Sequence, residues 1–486
     1  MEISLRDPGG QTCLVDNRVL RVVNKKGLND LAGFLCSSSS AWFVKSKQLV
    51  NSSFLSATAT EEVLKYAEVR SIYSNLEGAS IVEHERIPFP SFPYEWPPEM
   101  LYAAATLTLD FAETLTDEGL GLKDASPYNV LFRGSKPVFV DLLSFERRDP
   151  RDPTWLPLAQ FVRTFLLPLL INKHFGIGLS QLLTSHRDGV EPEEVFRLLS
   201  PIQKLRSPFL SLVSMPVWLT PKRTNDLRRI YRKRALSDKA KARFVFRRVL
   251  KNARRNLESV APSVGRRSRW SNYTKENNYS LNYFSMKQGF IREVMDEYYP
   301  RNVLDIGCNT GQFSIIAARS GAGVVAIDYD SVVVGEVWRQ AKTEDLDILP
   351  LVVNLTRPSP SIGWRNRECS SFLDRACGQF DAVLLLGVLH HLLVSEQIPL
   401  PQIFDLAAEL TTDLLAIEFV APDDPMFRRL VRGRDDLFQR LTREVFEDAC
   451  GKRFKIVRRQ KLDQTSRWLY LMKKREESFK CFEMPQ

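Results

Sequence analysis

In the C-terminal half of the chain, short runs of β-branched and other apolar residues are separated by longer amphipathic stretches. This alternation is typical of parallel strands that are covered by helices on both faces. It predicts an α/β domain with a Rossmann-like, seven-stranded sheet over residues 270–475, followed by a tail, 476–486. The predicted strands are NVLDIG, GVVAIDYD, LPLVVNL, FDAVLLLGV, LLAIEFV, FKIVRRQK and RWLYLMKK.

The N-terminal half has a different pattern. Residues 1–150 combine strand-like runs such as RVLRVV and PVFVDLLSF with one long apolar-periodic segment, PPEMLYAAATLTLDFAETL, whose paired prolines suit a helix start. We expect an α+β accessory domain here, ending at the breaker cluster ERRDPRDP. Residues 151–269 show helical periodicity, and they predict a helical, strongly basic connector.

The net charge of +10 is unevenly distributed along the chain. The stretch from Lys222 to Arg269 contains eighteen Lys or Arg residues and three acidic residues, so the remainder of the chain has a negative net charge. A basic block of this size can hold RNA or an anionic membrane surface. The alternative is a helical connector whose charged side chains are simply solvated. Aromatic residues are sparse in the block, which gives little support to a base-stacking platform.

Composition also bears on location and on metals. No uninterrupted apolar stretch reaches the roughly 18 residues that a membrane-spanning helix needs. The first residues, MEISLRDPGG, lack the layout of a signal peptide, and we expect a cytoplasmic protein. The seven cysteines are scattered without a CxxC pair, so no metal site is predicted.

Polar residues end several of the predicted strands. In an open α/β sheet, ligands bind beyond the carboxyl ends of the strands, and a core alone has no need of such residues there. The residues that end these runs are Asp305, Asp328, Asn354, His390, His391 and Glu418.

The first of these strands leads into the loop DIGCNTG. Gly307 and Gly311 allow a tight turn and a close backbone approach to a ligand. A dinucleotide fingerprint requires GxGxxG, whereas Asn309 stands in place of the second glycine, which disfavours a pyrophosphate cofactor. Asp328 ends the next strand 21 residues after Gly307, where a carboxylate can accept hydrogen bonds from ribose hydroxyls.

The loop DIGCNTG together with AIDYD resembles the glycine loop and acidic strand end of class I S-adenosylmethionine (SAM)-dependent methyltransferases. The resemblance covers roughly residues 270–474 and includes the order of the later strands. It implies that SAM is the cofactor, and it suggests a cofactor role for each of eight residues. These are Asp305, Gly307, Cys308, Asn309 and Gly311 around the methionine end, Asp328 at the ribose, and Tyr329 and Asn354 beside the adenine.

A narrower resemblance spans most of the chain. DASPYNVLF, WLPLAQFVRTFLLPL, LPLVVNLTRPSPSIGW, LHHL and SRWLYLM together are similar to a group of bacterial two-part methyltransferases that are labelled by likeness to a rhizobial nodulation protein. That group implies methyl transfer without identifying a substrate.

Methyl transfer needs a positioned acceptor and a base that removes its proton. An imidazole suits this task at neutral pH, and we predict His391 first, then Glu418, with His390 as a further candidate. Glu418 could equally be a structural acid that pairs with an arginine. No [DN]PP[YFW] motif follows the fourth strand, where LGVLHH stands, so methylation of an exocyclic base amine is disfavoured. An O or N atom of a small-molecule or saccharide-like acceptor is expected.

The segment LKDASPYNVLFRGSKPVFVDLLSFE raises a separate hypothesis. The spacing of Asp124, Asn129 and Asp141 resembles the catalytic loop and metal-binding acid of protein-kinase-like folds. However, Leu122 stands where that family has a histidine, and no Gly-rich phosphate loop is present in the first sixty residues. Alternatively, these side chains could satisfy loop backbone groups.

Two rival functions therefore remain open. One is an RNA methyltransferase that uses the basic block. The other is an ATP-binding, kinase-like module in which the methyltransferase half is not catalytic.

Overall fold

A computed structural model of the 486-residue chain describes residues 7–219, 235–268, 271, 281–433 and 435–476. The chain divides into two compact units. Unit 1 consists of Met1–Val264 together with Ile362–Cys369, and unit 2 consists of Gly265–Ser361 and Ser370–Gln486. The division falls close to the predicted boundary at residue 269, while the predicted regions 1–150 and 151–269 lie within one unit up to residue 264.

Unit 1 begins with a four-stranded antiparallel sheet, and short strands and helices follow it. Its elements as far as the breaker cluster are β1 (Gly10–Val15), β2 (Arg18–Val23), α1 (Lys25–Leu35), α2 (Ser38–Lys45), β3 (Ser52–Phe54), α3 (Ala57–Val63), α4 (Ala67–Ser74), β4 (Ser80–His84), α5 (Pro98–Thr114), β5 (Leu120–Leu122), β6 (Val130–Arg133), β7 (Lys136–Phe139) and β8 (Phe145–Arg147). The strand order in the first sheet is β1-β2-β4-β3, and β5 pairs with β8 and β6 with β7.

The second part of unit 1 is helical, as the periodicity predicts. Its elements are α6 (Leu158–Phe161), α7 (Leu167–Phe175), α8 (Leu179–Ser185), α9 (Pro192–Leu198), α10 (Pro201–Lys204), α11 (Met215–Leu219) and α12 (Lys239–Ser259), with π-helical turns at Val162–Leu166 and Leu210–Ser214. Most of the predicted basic run before α12 lies outside the described residues.

Helix α12 packs against α5 through an apolar stripe that recurs every three or four residues. Its buried members are Ala242, Phe246, Leu250, Ala253 and Leu257. Asp238 caps the helix by accepting hydrogen bonds from the backbone N–H groups of Ala240 and Lys241. The basic block therefore includes a helix that packs into unit 1, in addition to charged side chains on the surface.

Unit 2 contains one seven-stranded sheet. Its elements are α13 (Leu281–Tyr298), β9 (Asn302–Ile306), α14 (Gln312–Arg319), β10 (Gly323–Asp328), α15 (Ser331–Glu344), β11 (Ile348–Val352), α16 (Phe372–Ala376), β12 (Phe380–Leu385), α17 (Leu400–Leu410), β13 (Thr411–Val420), α18 (Pro425–Val431), α19 (Arg443–Gly451), β14 (Phe454–Lys461) and β15 (Arg467–Lys474), with a π-helical turn at His391–Ser395.

The sheet order is β11-β10-β9-β12-β13-β15-β14. The strands from β11 to β13 in this order are parallel, and β15 runs antiparallel to both of its neighbours. All seven predicted strands are present, so the predicted Rossmann-like sheet is confirmed. The parallel arrangement places the ends of β9, β10, β11, β12 and β13 along one edge, where the polar residues were found in the sequence.

Within the described part of the chain, no helix has the length and apolar character that crossing a bilayer would require. Among the same residues, no group of three or more His, Cys, Asp or Glu side chains is arranged to hold a metal ion.

Candidate active site

The loop between β9 and α14 has a backbone that few residue types can adopt. Gly307 and Gly311 have φ angles of +71° and +79°, and Asn309 has +48°. A Cβ at Gly307 would lie 2.3 Å from Cγ2 of Val388, and one at Gly311 would lie 2.9 Å from Cγ2 of Val337. Any larger residue at either glycine would therefore strain the backbone and displace a neighbour.

Asp328 connects this loop to the end of β10. Its Oδ2 accepts a hydrogen bond from the backbone N–H of Asn309 (3.0 Å), and its Oδ1 accepts one from the backbone N–H of Asp330 (3.0 Å). Burial raises the pKa of Asp328 to about 6, although these backbone donors act to lower it. The carboxylate is thus held in place at the strand end by the loop.

Asp305 lies beneath the loop and is almost completely buried. Its Oδ2 accepts a hydrogen bond of 2.5 Å from Oγ of Ser314 in α14. Burial raises the pKa of Asp305 to about 6, and the nearby Asp328 adds to this effect. Cys308 is also buried, and burial raises the pKa of its thiol, so it is a neutral, space-filling group.

Tyr329 and Asn354 follow the second and third strands of the domain. The Tyr329 side chain is 59% exposed. Oδ1 of Asn354 accepts hydrogen bonds from the backbone N–H (3.0 Å) and the hydroxyl (2.7 Å) of Thr356. Asn354 therefore organises its own turn at this edge of the sheet.

The two predicted histidines stand together after β12. Their ring centroids are 4.3 Å apart, with His390 buried and His391 half-buried at the start of the π-helical turn. Among the described residues, neither ring nitrogen of His390 has a hydrogen-bond partner, and burial, together with the neighbouring His391, lowers the pKa of His390 well below its ordinary value. Val388, two residues earlier, is the side chain that fills the space above Gly307. The histidine segment and the glycine loop are thus in contact.

Glu418 is fully buried in a network of charged groups. Its Oε2 is 2.7 Å from Nζ of Lys287, and its Oε1 accepts hydrogen bonds from Tyr283 (2.8 Å) and Arg467 (3.2 Å). Arg467 in turn makes two hydrogen bonds to Asp424, of 2.8 and 2.9 Å. Burial alone would raise the pKa of Glu418, but Lys287 and Arg467 lower it to about 2. This geometry matches the alternative in which Glu418 is a structural acid, and it leaves the carboxylate no exposed oxygen.

The partners of these acids were not among the residues predicted from the sequence. Tyr283 and Lys287 lie one turn apart on α13, before the first strand, and Ser314 lies in α14. The spacing of Tyr283 and Lys287 indicates that they share a helix face. Nothing in the sequence shows which strand that face meets.

Unit 1 contains the second constellation that the sequence singled out. Nδ2 of Asn129 donates to Oδ2 of Asp124 (3.2 Å) and to Oγ of Ser144 (3.0 Å), and Oγ of Ser144 donates to Oδ2 of Asp141 (2.6 Å). Arg21 on β2 forms an ion pair with Asp141. The three predicted residues are therefore brought together by hydrogen bonds.

Comparison with known proteins bears on the whole chain. A family model described as a methyltransferase domain matches residues 246–455. The nodulation protein NoeA of Rhizobium meliloti (strain 1021) is 30% identical over 480 residues, which cover 97% of this chain and 96% of the relative.

Solved structures also match the chain in part. The N-methyltransferase NodS from Bradyrhizobium japonicum WM9 in complex with S-adenosyl-L-homocysteine is 15% identical, with a TM-score of 0.32 over 43% of this chain and 94% of that chain. The magnesium protoporphyrin IX methyltransferase from Synechocystis PCC 6803 is 19% identical, with a TM-score of 0.31 over 43% of this chain and 93% of that chain. The bifunctional kinase-methyltransferase WbdD is 16% identical, with a TM-score of 0.30 over 43% of this chain and 42% of that chain.

The sheet order, the glycine loop, the acidic strand end and the domain match define a class I SAM-dependent methyltransferase. The chain belongs to the family of the nodulation protein NoeA. Its cofactor is SAM, and the site fits this group, because Gly307, Asn309 and Gly311 hold the loop in a left-handed backbone conformation, here called the cradle, and Asp328 hydrogen-bonds to it at the end of the next strand.

Asp328 should make SAM binding depend on pH. Only the ionised carboxylate has both oxygens available as acceptors, and its pKa is raised to about 6. Affinity for SAM should therefore be constant above this pH and fall by about tenfold per unit below it. Calorimetric titration of the protein with SAM across this pH range measures the effect.

The matched variants are Asp328→Ala and Asp381→Ala. Asp381 accepts hydrogen bonds from the backbone N–H groups of Arg301 and Asn302 at the amino ends of the parallel strands, away from the cofactor loop. Asp328→Ala should weaken SAM binding strongly at neutral pH, whereas Asp381→Ala should leave it intact. Unchanged binding in Asp328→Ala would show that this carboxylate does not hold the cofactor.

Substitution Glu418→Gln should destabilise unit 2. It leaves two buried cations with a single buried acid, and removing one partner of a buried ion pair costs about 3–5 kcal/mol of unfolding free energy. The control Glu344→Gln breaks the surface pair with Arg319 (2.7 Å), which we expect to cost less than about 1 kcal/mol. Urea unfolding followed by tryptophan fluorescence compares the two variants, and equal small losses would contradict the structural role of Glu418.

Proposed function

We propose that this methyltransferase acts on an O or N atom of a small-molecule acceptor and that His391 removes the acceptor's proton. The observation that carries the proposal is the contact between Val388 and the glycine loop, which sets the histidine segment against the cofactor cradle. When bound, SAM supplies an electrophilic methyl group, so the chain itself must position the acceptor and accept a proton.

His391 is the best placed of the three candidate bases. Glu418 has no exposed oxygen, and its lowered pKa makes it a weak proton acceptor. His390 is buried, and its pKa is lowered. Its imidazole therefore stays neutral and is a weak base. His391 is the only one of the three with an exposed part of its side chain. A partly exposed imidazole is the kind of side chain that serves as a general base.

His390 and Glu418 are assigned supporting roles. The pKa of His390 is affected by its neighbour His391 and also by Arg467, Glu418 and Lys287, which places its ring near the buried charge network. Its neutral ring packs beside His391 without adding a second positive charge. We assign positioning of the His391 ring to His390 and to the packed network beneath it.

A cavity lined by residues that follow His391 in the chain favours a small acceptor. A cavity of about 290 Å³ adjoins the π-helical turn that His391 begins. Its lining is mostly apolar and consists of Leu393, Val394, Gln397, Ile398, Pro399, Leu437 and Phe438. Cavities that hold small molecules are of this order of size, with apolar walls and a few polar groups. An acceptor with an apolar portion fits it, and a saccharide-like acceptor would have to carry one.

His391→Ala should slow methyl transfer without loss of SAM binding. General-base catalysis contributes about 10²- to 10⁴-fold, and the SAM affinity should remain within about threefold because His391 lies outside the cradle. Transfer from tritium-labelled SAM into small-molecule extract fractions measures turnover, and calorimetry measures binding.

His186→Ala in unit 1 is the control, because His186 is also half-buried but is paired with Glu194 (3.5 Å). It should retain both properties. Full turnover in His391→Ala would remove the base assignment, and label recovered only in RNA would favour the rival RNA methyltransferase.

We infer a second function for unit 1, which is to bind a nucleotide together with Mg²⁺ through a kinase-like fold. The supporting observation is the hydrogen-bonded assembly of Asp124, Asn129 and Asp141. Carboxylate and amide oxygens are the ligands that Mg²⁺ prefers. One feature of unit 1 does not match such a fold. The turn between β1 and β2 has only two residues, Asp16 and Asn17, so this hairpin has no loop that could cover phosphates.

Calorimetry with ATP in the presence and absence of Mg²⁺ tests this function. Binding should require Mg²⁺ and be lost in Asp141→Ala. Asp149→Ala, which removes an exposed acid that pairs with Arg151, should bind as the unchanged protein does. Absence of Mg²⁺-dependent binding in the unchanged protein would leave the constellation as a purely structural network.

A further inference from the structure

The cations of α12 fall into two groups on different faces of the helix. The first group pairs with acids of unit 1. Arg254 lies 2.7 Å from Asp110 and 2.8 Å from Glu113, and both Arg243 and Arg247 pair with Asp117. These arginines help to fix α12 against α5 and the turn that follows it, so part of their charge is compensated within unit 1.

The second group lies on the face opposite the buried stripe. Its members, all exposed, are Lys241, Phe244, Val245, Arg248, Lys251, Asn252 and Arg255. They recur at helical spacing over about 21 Å of the axis. None of the four cations makes an ion pair with a residue that the structure describes, and no acid interrupts the stripe.

Two apolar side chains stand among these cations. Phe244 is 72% exposed and Val245 is 36% exposed, one residue apart on the outer face. The Phe244 ring therefore lies on the solvent side of a helix whose opposite face is buried. Four cations that surround an exposed ring form a surface that is attracted to negative charge and can also bury apolar area.

We propose that this outer face of α12 docks on an anionic lipid bilayer. Lys and Arg side chains near such a surface are attracted to its headgroups, and an aromatic ring can enter the boundary between headgroups and acyl chains. The charge complementarity supplies most of the attraction, and Phe244 supplies the part that does not depend on salt. The site lies outside the methyl-transfer machinery and serves to hold the enzyme at a membrane surface.

A lipid surface suits these residues better than RNA does. Single-stranded nucleic acid is bound by several aromatic platforms along a basic groove, whereas the outer face of α12 has one exposed aromatic ring. The adjoining Val245 offers apolar area without any polar group to recognise a base. An RNA complex would also be carried almost entirely by salt-sensitive phosphate contacts.

Sedimentation of the full chain with vesicles tests the proposal. The vesicles are pure phosphatidylcholine or equal parts phosphatidylcholine and phosphatidylglycerol, and single-stranded RNA is assayed in parallel by fluorescence anisotropy. The protein should bind only the anionic vesicles. The variant Lys241→Glu/Arg248→Glu/Lys251→Glu/Arg255→Glu should lose more than about 100-fold in partitioning, since each cation contributes about fivefold.

The control variant makes the same change of net charge elsewhere in unit 1. Its substitutions are Lys26→Glu, Lys47→Glu, Lys65→Glu and Lys123→Glu, all at exposed positions. It should keep most of the binding, and Phe244→Ser should remove the binding that persists at high salt. Circular dichroism and SAM affinity verify that each variant is folded.

Three results would overturn the proposal. One is failure of the unchanged protein to bind anionic vesicles. Another is equal loss of binding in the two quadruple variants, which would mean that only net charge matters. The third is RNA binding that depends on the α12 cations without vesicle binding, which would assign the face to nucleic acid.

Discussion

A buried cluster of two acids and two bases organises the catalytic half of the molecule. Lys287, Glu418, Asp424 and Arg467 are each less than 7% exposed, and a single unpaired charge at such a depth would be prohibitively costly. The four charges balance, and their hydrogen bonds join α13, β13, β15 and the N-terminus of α18. The helix that precedes the first strand is thereby attached to the last part of the sheet, next to the histidine segment.

The acids at the cofactor end of the sheet are stabilised differently, because neither Asp305 nor Asp328 forms an ion pair with any residue that the structure describes. Asp305 and Asp328 accept hydrogen bonds only from a hydroxyl and from backbone N–H groups, and burial raises the pKa of both to about 6. The ionised forms of both carboxyl groups are therefore disfavoured in the folded chain. The free energy of unfolding consequently increases as the pH falls from about 6 towards the pKa of an unfolded aspartate, near 4. A ligand that donates hydrogen bonds or carries positive charge relieves this cost. The site is thus unfavourable for the chain alone and favourable for a cofactor with an ammonium group and ribose hydroxyls.

The sequence predicts the parallel sheet well because each strand is a compact apolar run that ends in a polar residue, and local pattern decides both features. It identifies Gly307, Gly311 and Asp328 because close backbone approach has a recognisable spacing. It leaves the role of Glu418 open, since a strand-end acid appears the same in sequence whether it faces solvent or a cation. Lys287 and Arg467 lie 180 residues apart along the chain and come together only through β13, so no local rule links them. The arginines of α12 likewise count as free charge in the sequence, and only tertiary packing shows which of them are neutralised by Asp110, Glu113 and Asp117.

The contact between Gly307 and Val388 connects the glycine loop with the segment that carries His391. Because Val388 occupies the volume that a Cβ at position 307 would need, the loop that cradles the cofactor and the segment that carries His391 cannot shift independently. His391 follows Val388 by one helical turn, and its backbone N–H donates to the Val388 carbonyl (2.9 Å). The backbone position of His391, the base that we propose, is therefore linked to the glycine loop through the Val388 side chain and this hydrogen bond. The cavity that we propose for the acceptor is lined by later residues of the same segment, so Leu393, Val394 and their neighbours are the positions at which a change of acceptor preference is expected.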